Sequence, residues 1–359
     1  MTRDELLEAI RRDDTIENMD LAGLNLAGAD LSGARFENVD FRGADFRGAK
    51  IGRTGFNHCR FQGAIMEGVS LRETLLIEIN LAGAILKNAD FFGAVLTRAD
   101  FSGADLAGAD LTKAVLDNAR LDRANLTGAC LNKTVLYKAS LLGADLQGAD
   151  LDRAVFMEAA LAGAVLKGCH VFKTFFRDCA LAGQDFRDAK FIMAQAGGAD
   201  LTEADFTGAD ISQSSFLNAT LQGAKMDRVK GPRAVFMGAK LGRASLVAAY
   251  LPQSSFLEAE AVGADFTNAV LEQSIFEKAV LRAARFNNAK CAYVDFSHAD
   301  PTAADFTGAD ASRANLHRTR QDHTVWRNAN TTLAKGDDPD LTQAEDWPAL
   351  NFHKQTGRP

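Results

Sequence analysis

Residues Ala84 to Lys113 read A-I-L-K-N, A-D-F-F-G, A-V-L-T-R, A-D-F-S-G, A-D-L-A-G, A-D-L-T-K. Each block places a small residue first and Leu or Phe third. The large centres fall at Leu86, Phe91, Leu96, Phe101, Leu106 and Leu111. Outward from this stretch, every centre position from Leu21 to Trp326 has a number ending in 1 or 6, with no insertion or deletion. A fixed internal period is read before anything else, because missing it misassigns the whole fold. Five suits neither the 3.6 of a helix nor the 2 of a strand. Gly and Asp also recur too often for a long helix.

The A-D/N-L/F-x-x unit resembles that of the pentapeptide repeat family. The resemblance implies an all-β chain wound as a right-handed quadrilateral parallel β-helix. The Leu/Phe centre and the small residue two before it would face inward, and the other three positions outward. One coil is then four units, or twenty residues. About fifteen coils, each adding roughly 4.8 Å, make a rod on the order of 75 Å long. The expected organisation is a helical cap and lead-in over 1–20, the solenoid over 21–330, and a non-repeat tail or cap over 331–359.

Thr2 and Glu5 have capping-box spacing and start a helix over 2–12, with Leu6, Leu7 and Ile10 on one face. It would lid the first coil or dock a partner, since an open solenoid end exposes core and strand edges. Two centres are small: Ala196, within Gln195-Ala196-Gly197-Gly198, and Gly231, followed by Pro232. Both read as narrowed coils or kinks, with a recognition notch as the alternative. After residue 260 the weak centres Ala261, Cys291, Pro301, Ala311 and Gln321 suggest a rod that flattens or loosens. Leu341 to Trp347 would form a short helix with Asp340 as N-cap. Trp347, Leu350 and Phe352 would cover the last coil, unless the tail is mobile.

Of five cysteines, Cys59, Cys169 and Cys179 take the small slot and Cys291 a centre, whereas Cys130 faces outward. No pairing framework emerges, which fits a reducing bacterial cytoplasm. The acidic start is unlike a signal peptide, and no run of 18 apolar residues exists. The chain carries −7. Residues 1–20 account for −4 and residues 331–359 for −2, which leaves −1 on the array.

Residues twenty apart stack, so surface columns can be written down. The position before every fourth centre reads Leu75, Val95, Val115, Val135, Val155, Phe175, Gln195, Ser215, Val235, Ser255, Ile275. Beyond the same centres lie Ile77, Tyr137, Met157, Leu217, Met237 and Leu257. Together they form an apolar stripe on one face, of the kind that marks interaction sites. β-propensity alone would scatter Val and Ile over all four faces. An adjoining column reads Lys113, Lys133, Arg153, Lys173. Such a ladder calls either for carboxylates on neighbouring columns or for an acidic partner. Gly fills the equivalent corner elsewhere, at Gly23, Gly43, Gly63 and Gly83 and at Gly28, Gly48 and Gly68, as tight turns require.

No dinucleotide fingerprint, phosphate loop or nucleophile elbow is present. Asp before the centre is a feature of the repeat and does not indicate acid–base catalysis. His298 and His317 fall one coil apart with His323 nearby, but no carboxylate or Cys stands at ligand spacing, so no metal or cofactor is expected. The expectation is a non-enzymatic scaffold or adaptor that binds a protein along the apolar-basic corner, with no direct nucleic-acid binding. A homodimer along the stripe would cover the same surface. The N-terminal stretch D-E-L-L-E-A-I-R-R, leading into L-A-G-L-N-L-A-G-A-D-L-S-G, is also similar to pentapeptide proteins of bacterial type VI secretion clusters. That resemblance implies an accessory role toward effectors or spike proteins. The alternative is a DNA-mimicking inhibitor of gyrase, as some pentapeptide proteins are. The array's near-neutral charge, its basic ladder and the lack of an inserted loop weigh against it.

Overall fold

The computed structural model describes residues 1–346. One unit shows how it is held. In Asp105 to Ala109, Leu106 N–H donates to Asn125 O at 2.7 Å and Gly108 N–H to Thr127 O at 3.0 Å. Asp105 N–H donates back to Ala84 O at 2.9 Å, and Ala109 N–H closes a turn on Leu106 O at 3.0 Å. The fifth donor, Ala107 N–H, is taken by the side chain of Asp105 at 3.3 Å. Every backbone donor of the unit is thus used, as a buried ladder demands. This accounts for Asp or Asn before the centre. The residue two after the centre holds a left-handed φ throughout, which explains its bias to Gly.

The same bonds recur with a register of twenty. Parallel bridges link residue pairs such as Asp20↔Asp40, Asp100↔Arg120 and Asp295↔Asn315, four positions per coil. Among the described residues only five segments are long enough to be strands: β1 (Thr15–Glu17), β2 (Arg35–Glu37) and β3 (Gly55–Asn57), paired in that order, and β4 (His170–Phe172) paired with β5 (Lys190–Ile192), all parallel. The ladder begins at Thr15 and ends at Asn315↔Lys335, extending past both ends of the 21–330 span in which the period is legible.

Centres and small residues are buried along the axis. Where the small slot holds Thr, Ser or Cys, its side chain donates to a backbone carbonyl, mostly the one 23 residues earlier: Thr134 to Leu111 at 2.7 Å, Ser274 to Leu251 at 2.9 Å, Cys169 to Leu146 at 3.0 Å. Thr74, Thr319 and Cys59 turn instead to Leu71, Leu316 and Asn57 O. These polar groups are therefore buried at little cost. Burial pushes the thiol of Cys59 up to about 11 and those of Cys169 and Cys179 up to about 12.

Neither small centre kinks the chain. At Ala196 the ladder is intact, with Ala196 N–H on Ser215 O at 2.7 Å. Phe191, from the adjoining column, slides between Phe176 and Phe216 and stacks on both, at 5.7 and 5.9 Å. At Gly231 the space is taken by neighbours: an added Cβ would lie 2.6 Å from Ile211 Cγ1 and 2.8 Å from Leu251 Cδ2. After residue 260 the array keeps its register to Asn315↔Lys335, and it loosens locally at Pro301 and Gln321, where Gln321 is exposed and no Asp300–Arg320 bridge forms among the described residues. Phe266, Phe286, Phe306 and Trp326 stack at 4.8, 4.5 and 4.2 Å, and their bulk fills what Ala261, Cys291 and Ala311 leave.

At the N-terminal end, α1 (Arg3–Arg11) has the expected capping box, buries Leu6 and Ala9, and reaches the array through Arg3 Nη2 to Ala27 O at 3.0 Å. At the other end, α2 (Pro339–Glu345) is capped by Asp338, two residues before the cap expected, because its carboxylate accepts from Asp340 and Leu341 N–H. Trp347, Leu350 and Phe352 lie outside the described residues. Among the described residues no helix is long and apolar enough to cross a membrane.

Candidate protein-binding face

The stripe residues form one bridged column. Leu75, Val95, Val115, Val135, Val155, Phe175, Gln195, Ser215, Val235, Ser255 and Ile275 are each paired to the next. Leu75 is 67% exposed, Ile77 51%, Phe175 40%, Leu217 41% and Ile275 43%. Val95, Val115, Val135, Tyr137, Val155, Met157, Val235, Met237 and Leu257 are half-buried. Polar residues at Thr97, Asp117 and Arg177 interrupt the second row. The other three bridge columns are mostly polar or charged with scattered apolar residues, as in Ile85, Asp105, Asn125, Asp145, Val165. Behind the stripe, Phe216, Phe236, Phe256, Phe276 and Phe296 stack at 5.1, 4.8, 4.4 and 5.3 Å, so the face has a rigid backing.

This face has a second property that composition does not reveal. From Leu75 to Ile275 the column holds no Asp or Asn, so the turn N–H that Asp105 caps elsewhere has no such cap here. The N–H groups of Ile77, Tyr137, Met157, Arg177, Leu217, Met237 and Leu257 have no protein acceptor among the described residues. A row of free donors, one per coil, therefore runs beneath the apolar side chains. The apolar residues at this column were visible in the sequence; the consequence for the next N–H but one was not.

The two edges of the face differ. On one edge Lys113, Lys133, Arg153 and Lys173 are exposed, at φ of 60°, 58°, 56° and 54°. A side chain other than Gly in that region costs about 1 kcal/mol. None of the four makes an ion pair among the described residues; Lys113 and Lys173 lie over the rings of Phe92 and Phe172 at 4.9 and 5.0 Å. Carboxylates on neighbouring columns thus form no ion pair with this ladder among the described residues. The other edge answers itself: Arg98 pairs with Glu78 at 2.9 Å and Lys138 with Glu158 at 3.4 Å. Its hydrogen bond to Tyr137 and the nearby Glu158 charge hold the Lys138 ammonium above its usual range.

Two cavities open on the face. One, of about 220 Å³, is bounded by Leu75, Ile77 and Phe56. The other, of about 540 Å³, lies between Met157, Phe175 and Leu217 over Gly197 and Gly198. The Gln195–Gly198 departure is thus a notch in the surface and not a bend in the rod. Gly198 leaves that space clear: an added Cβ there would run into Asp178 Oδ1.

Two groups of ligand-type side chains lie elsewhere. Asp150, Asp152 and His170 converge on another face, where burial and the nearby Asp150 charge push the Asp152 carboxyl up. At the C-terminal end His298 and His317 meet a carboxylate the sequence did not place there: Glu345, on α2, comes to 3.2 Å of His298 Nε2 and 3.3 Å of His317 Nε2. The metal-free expectation assumed no carboxylate within reach, and the return of α2 over the last coils removes that premise.

The family profile of the pentapeptide repeats matches residues 20–63, 54–93, 74–112, 99–137, 135–171, 199–230, 234–273, 264–300 and 284–320. No curated protein matches. Among solved structures, HetL of Nostoc sp. strain PCC 7120, a pentapeptide repeat protein involved in heterocyst differentiation regulation, is 25% identical. That likeness covers 78% of this chain and 96% of HetL at a TM-score of 0.29. QnrB1, a plasmid-mediated fluoroquinolone resistance protein, is 18% identical over 46% of this chain and 95% of its own, at 0.30. A pentapeptide repeat protein of the Arabidopsis thaliana thylakoid lumen is 29% identical over 34% and 70%, at 0.19.

Proposed function

We propose, from the premise that the chain belongs to the pentapeptide repeat family, that it is a non-enzymatic scaffold that holds an acidic protein segment along the Leu75–Ile275 face. The coils are taken as the right-handed, four-sided solenoid of that family. The observation that carries the reading is the coincidence on one face of apolar side chains, uncapped N–H donors and an unpaired basic edge. Apolar burial supplies affinity. Carbonyl or carboxylate oxygens of the partner answer the donors. The Lys/Arg ladder sets orientation and on-rate. The setting proposed is the bacterial cytoplasm, as an accessory in loading a type VI secretion effector or spike; the resemblance of the N-terminal stretch to such proteins is what supports it.

The test uses the full chain as bait in a bacterial lysate, then measures the captured partner directly. Phe175→Ser with Met157→Ser should weaken binding by about 2 kcal/mol or more, roughly thirtyfold, because large side chains around a notch are the expected anchors. Lys133→Glu with Arg153→Glu should slow association, and added salt should shrink that difference. Gln147→Ser with Lys167→Ser, beside the Gly148–Gly168 corner, should do little. Normal binding by a well-folded stripe variant would remove the face from consideration. Sedimentation of the protein alone decides whether a second copy is what the stripe takes.

A further inference from the structure

We propose that His298, His317 and Glu345 form a divalent metal site, suited best to Zn²⁺, that staples α2 to the last coils of the array. Their ligand atoms lie within 4.8 Å of one another. The edges from Glu345 Oε1 to His298 Nε2 and from Oε2 to His317 Nε2 are 3.2 and 3.3 Å. A tetrahedral ion with bonds of about 2.0–2.2 Å has ligand edges of about 3.3–3.6 Å; the carboxylate ligates through one oxygen, and the side chains close by about 1 Å or less from their present separations. Two imidazoles and a carboxylate are a borderline donor set that zinc favours, and the fourth position is left to water.

The site is built on fixed elements. His298 N–H donates to His317 O at 2.8 Å, so the two histidines are set by the ladder itself. Their rings stand edge to face at 5.5 Å, and His317 is only 2% exposed. Glu345 is oriented by Arg318, whose Nε lies at 3.1 Å, while Arg318 Nη2 holds Thr342 O and Asp346. Helix α2 buries none of its residues, so apolar packing does not hold it in place. The polar contacts that do so come from His298, His317 and Arg318, and all three meet at Glu345.

Without metal, Asp338 N–H donates to His317 Nδ1 at 3.1 Å, so the ring proton sits on Nε2 and faces Glu345. A metal at Nε2 displaces that proton, and the ring then carries its hydrogen on Nδ1. The Asp338 bond is lost and its N–H must move aside from the new Nδ1–H, while Asp337 Oδ1, 3.9 Å from Nδ1 and already accepting Arg318 N–H at 2.7 Å, has to close in to accept from it. A carboxylate behind a ligating imidazole is the usual second partner of such a histidine.

Purified full-length chain, stripped with a chelator, is titrated with Zn²⁺ by calorimetry and with Co²⁺ by visible absorption. One ion should bind per chain, with a tetrahedral cobalt spectrum, and proteolysis within α2 should slow when zinc is present. Glu345→Gln lies outside the array and leaves the coils intact; it should weaken binding at least tenfold and abolish the protection. His317→Ala should do the same, with circular dichroism confirming the fold. His170→Ala, in the other cluster, should change nothing. Equal zinc uptake by the wild type and Glu345→Gln, no uptake by either, or loss in His170→Ala would each overturn the assignment and leave a hydrogen-bonded contact only.

Discussion

At the residue scale, the five positions of the unit have separate physical duties, and substitutions should sort by duty. Phe156 is fully buried and stacks on Phe176 at 5.2 Å. Phe156→Asp places an unpaired charge in the core, at a cost of several kcal/mol that unfolds the neighbouring coils. Asp150 accepts Asp152 N–H at 3.0 Å, and Asn125 makes the same bond to Thr127 N–H at 3.1 Å. Asp150→Asn should therefore be nearly neutral, while Asp150→Ala should lose about 1 kcal/mol. Amide hydrogen exchange at Asp152 is the readout: faster in the Ala variant, unchanged in the Asn variant. Equal losses for Phe156→Asp and Asp150→Asn would contradict the inward and outward assignment.

At the scale of the coil, much was legible because the backbone repeats. The period, with the coil geometry that the family resemblance implies, yields the twenty-residue register, the buried centres and the apolar column, and the Thr2–Glu5 pair yields α1. The fate of the small centres was not legible. Whether a gap at Ala196 or Gly231 bends the rod depends on where neighbouring side chains move, and Phe191, Ile211 and Leu251 move into those gaps without breaking phase. Glu345 was out of reach of the sequence for another reason: it stands in a segment without the period, so nothing fixed its place relative to His298 and His317. The filled gap makes a counterintuitive prediction. Gly231→Leu restores the repeat's preferred centre, yet it should destabilise by about 1–3 kcal/mol, since Ile211 and Leu251 already occupy the volume. Thermal denaturation beside the wild type checks this. A higher melting temperature would mean that the space is open after all.

At the scale of the whole molecule, surface charge separates a scaffold from a DNA mimic. Duplex DNA carries about one negative charge per 1.7 Å, so a mimic roughly 75 Å long would present tens of uncompensated anions. The array nets −1 between its charged ends. Its carboxylates are also occupied. Asp40 and Asp45 are each bound by arginine at 2.7 Å, Asp185 likewise, and Asp300 by Arg282 at 2.6 Å. Others, such as Asp100 and Asp265, accept the turn N–H two residues on. The apolar face is bordered by the basic edge of Lys113, Lys133, Arg153 and Lys173, which has the wrong sign for a surface that binds where DNA binds. The protein should therefore leave gyrase supercoiling unaffected at micromolar concentration. Inhibition at submicromolar protein in a supercoiling assay would overturn the scaffold reading, because charge and face would then have failed together. Lack of inhibition, with binding lost in the Phe175–Met157 pair, would place the function on the uncapped face.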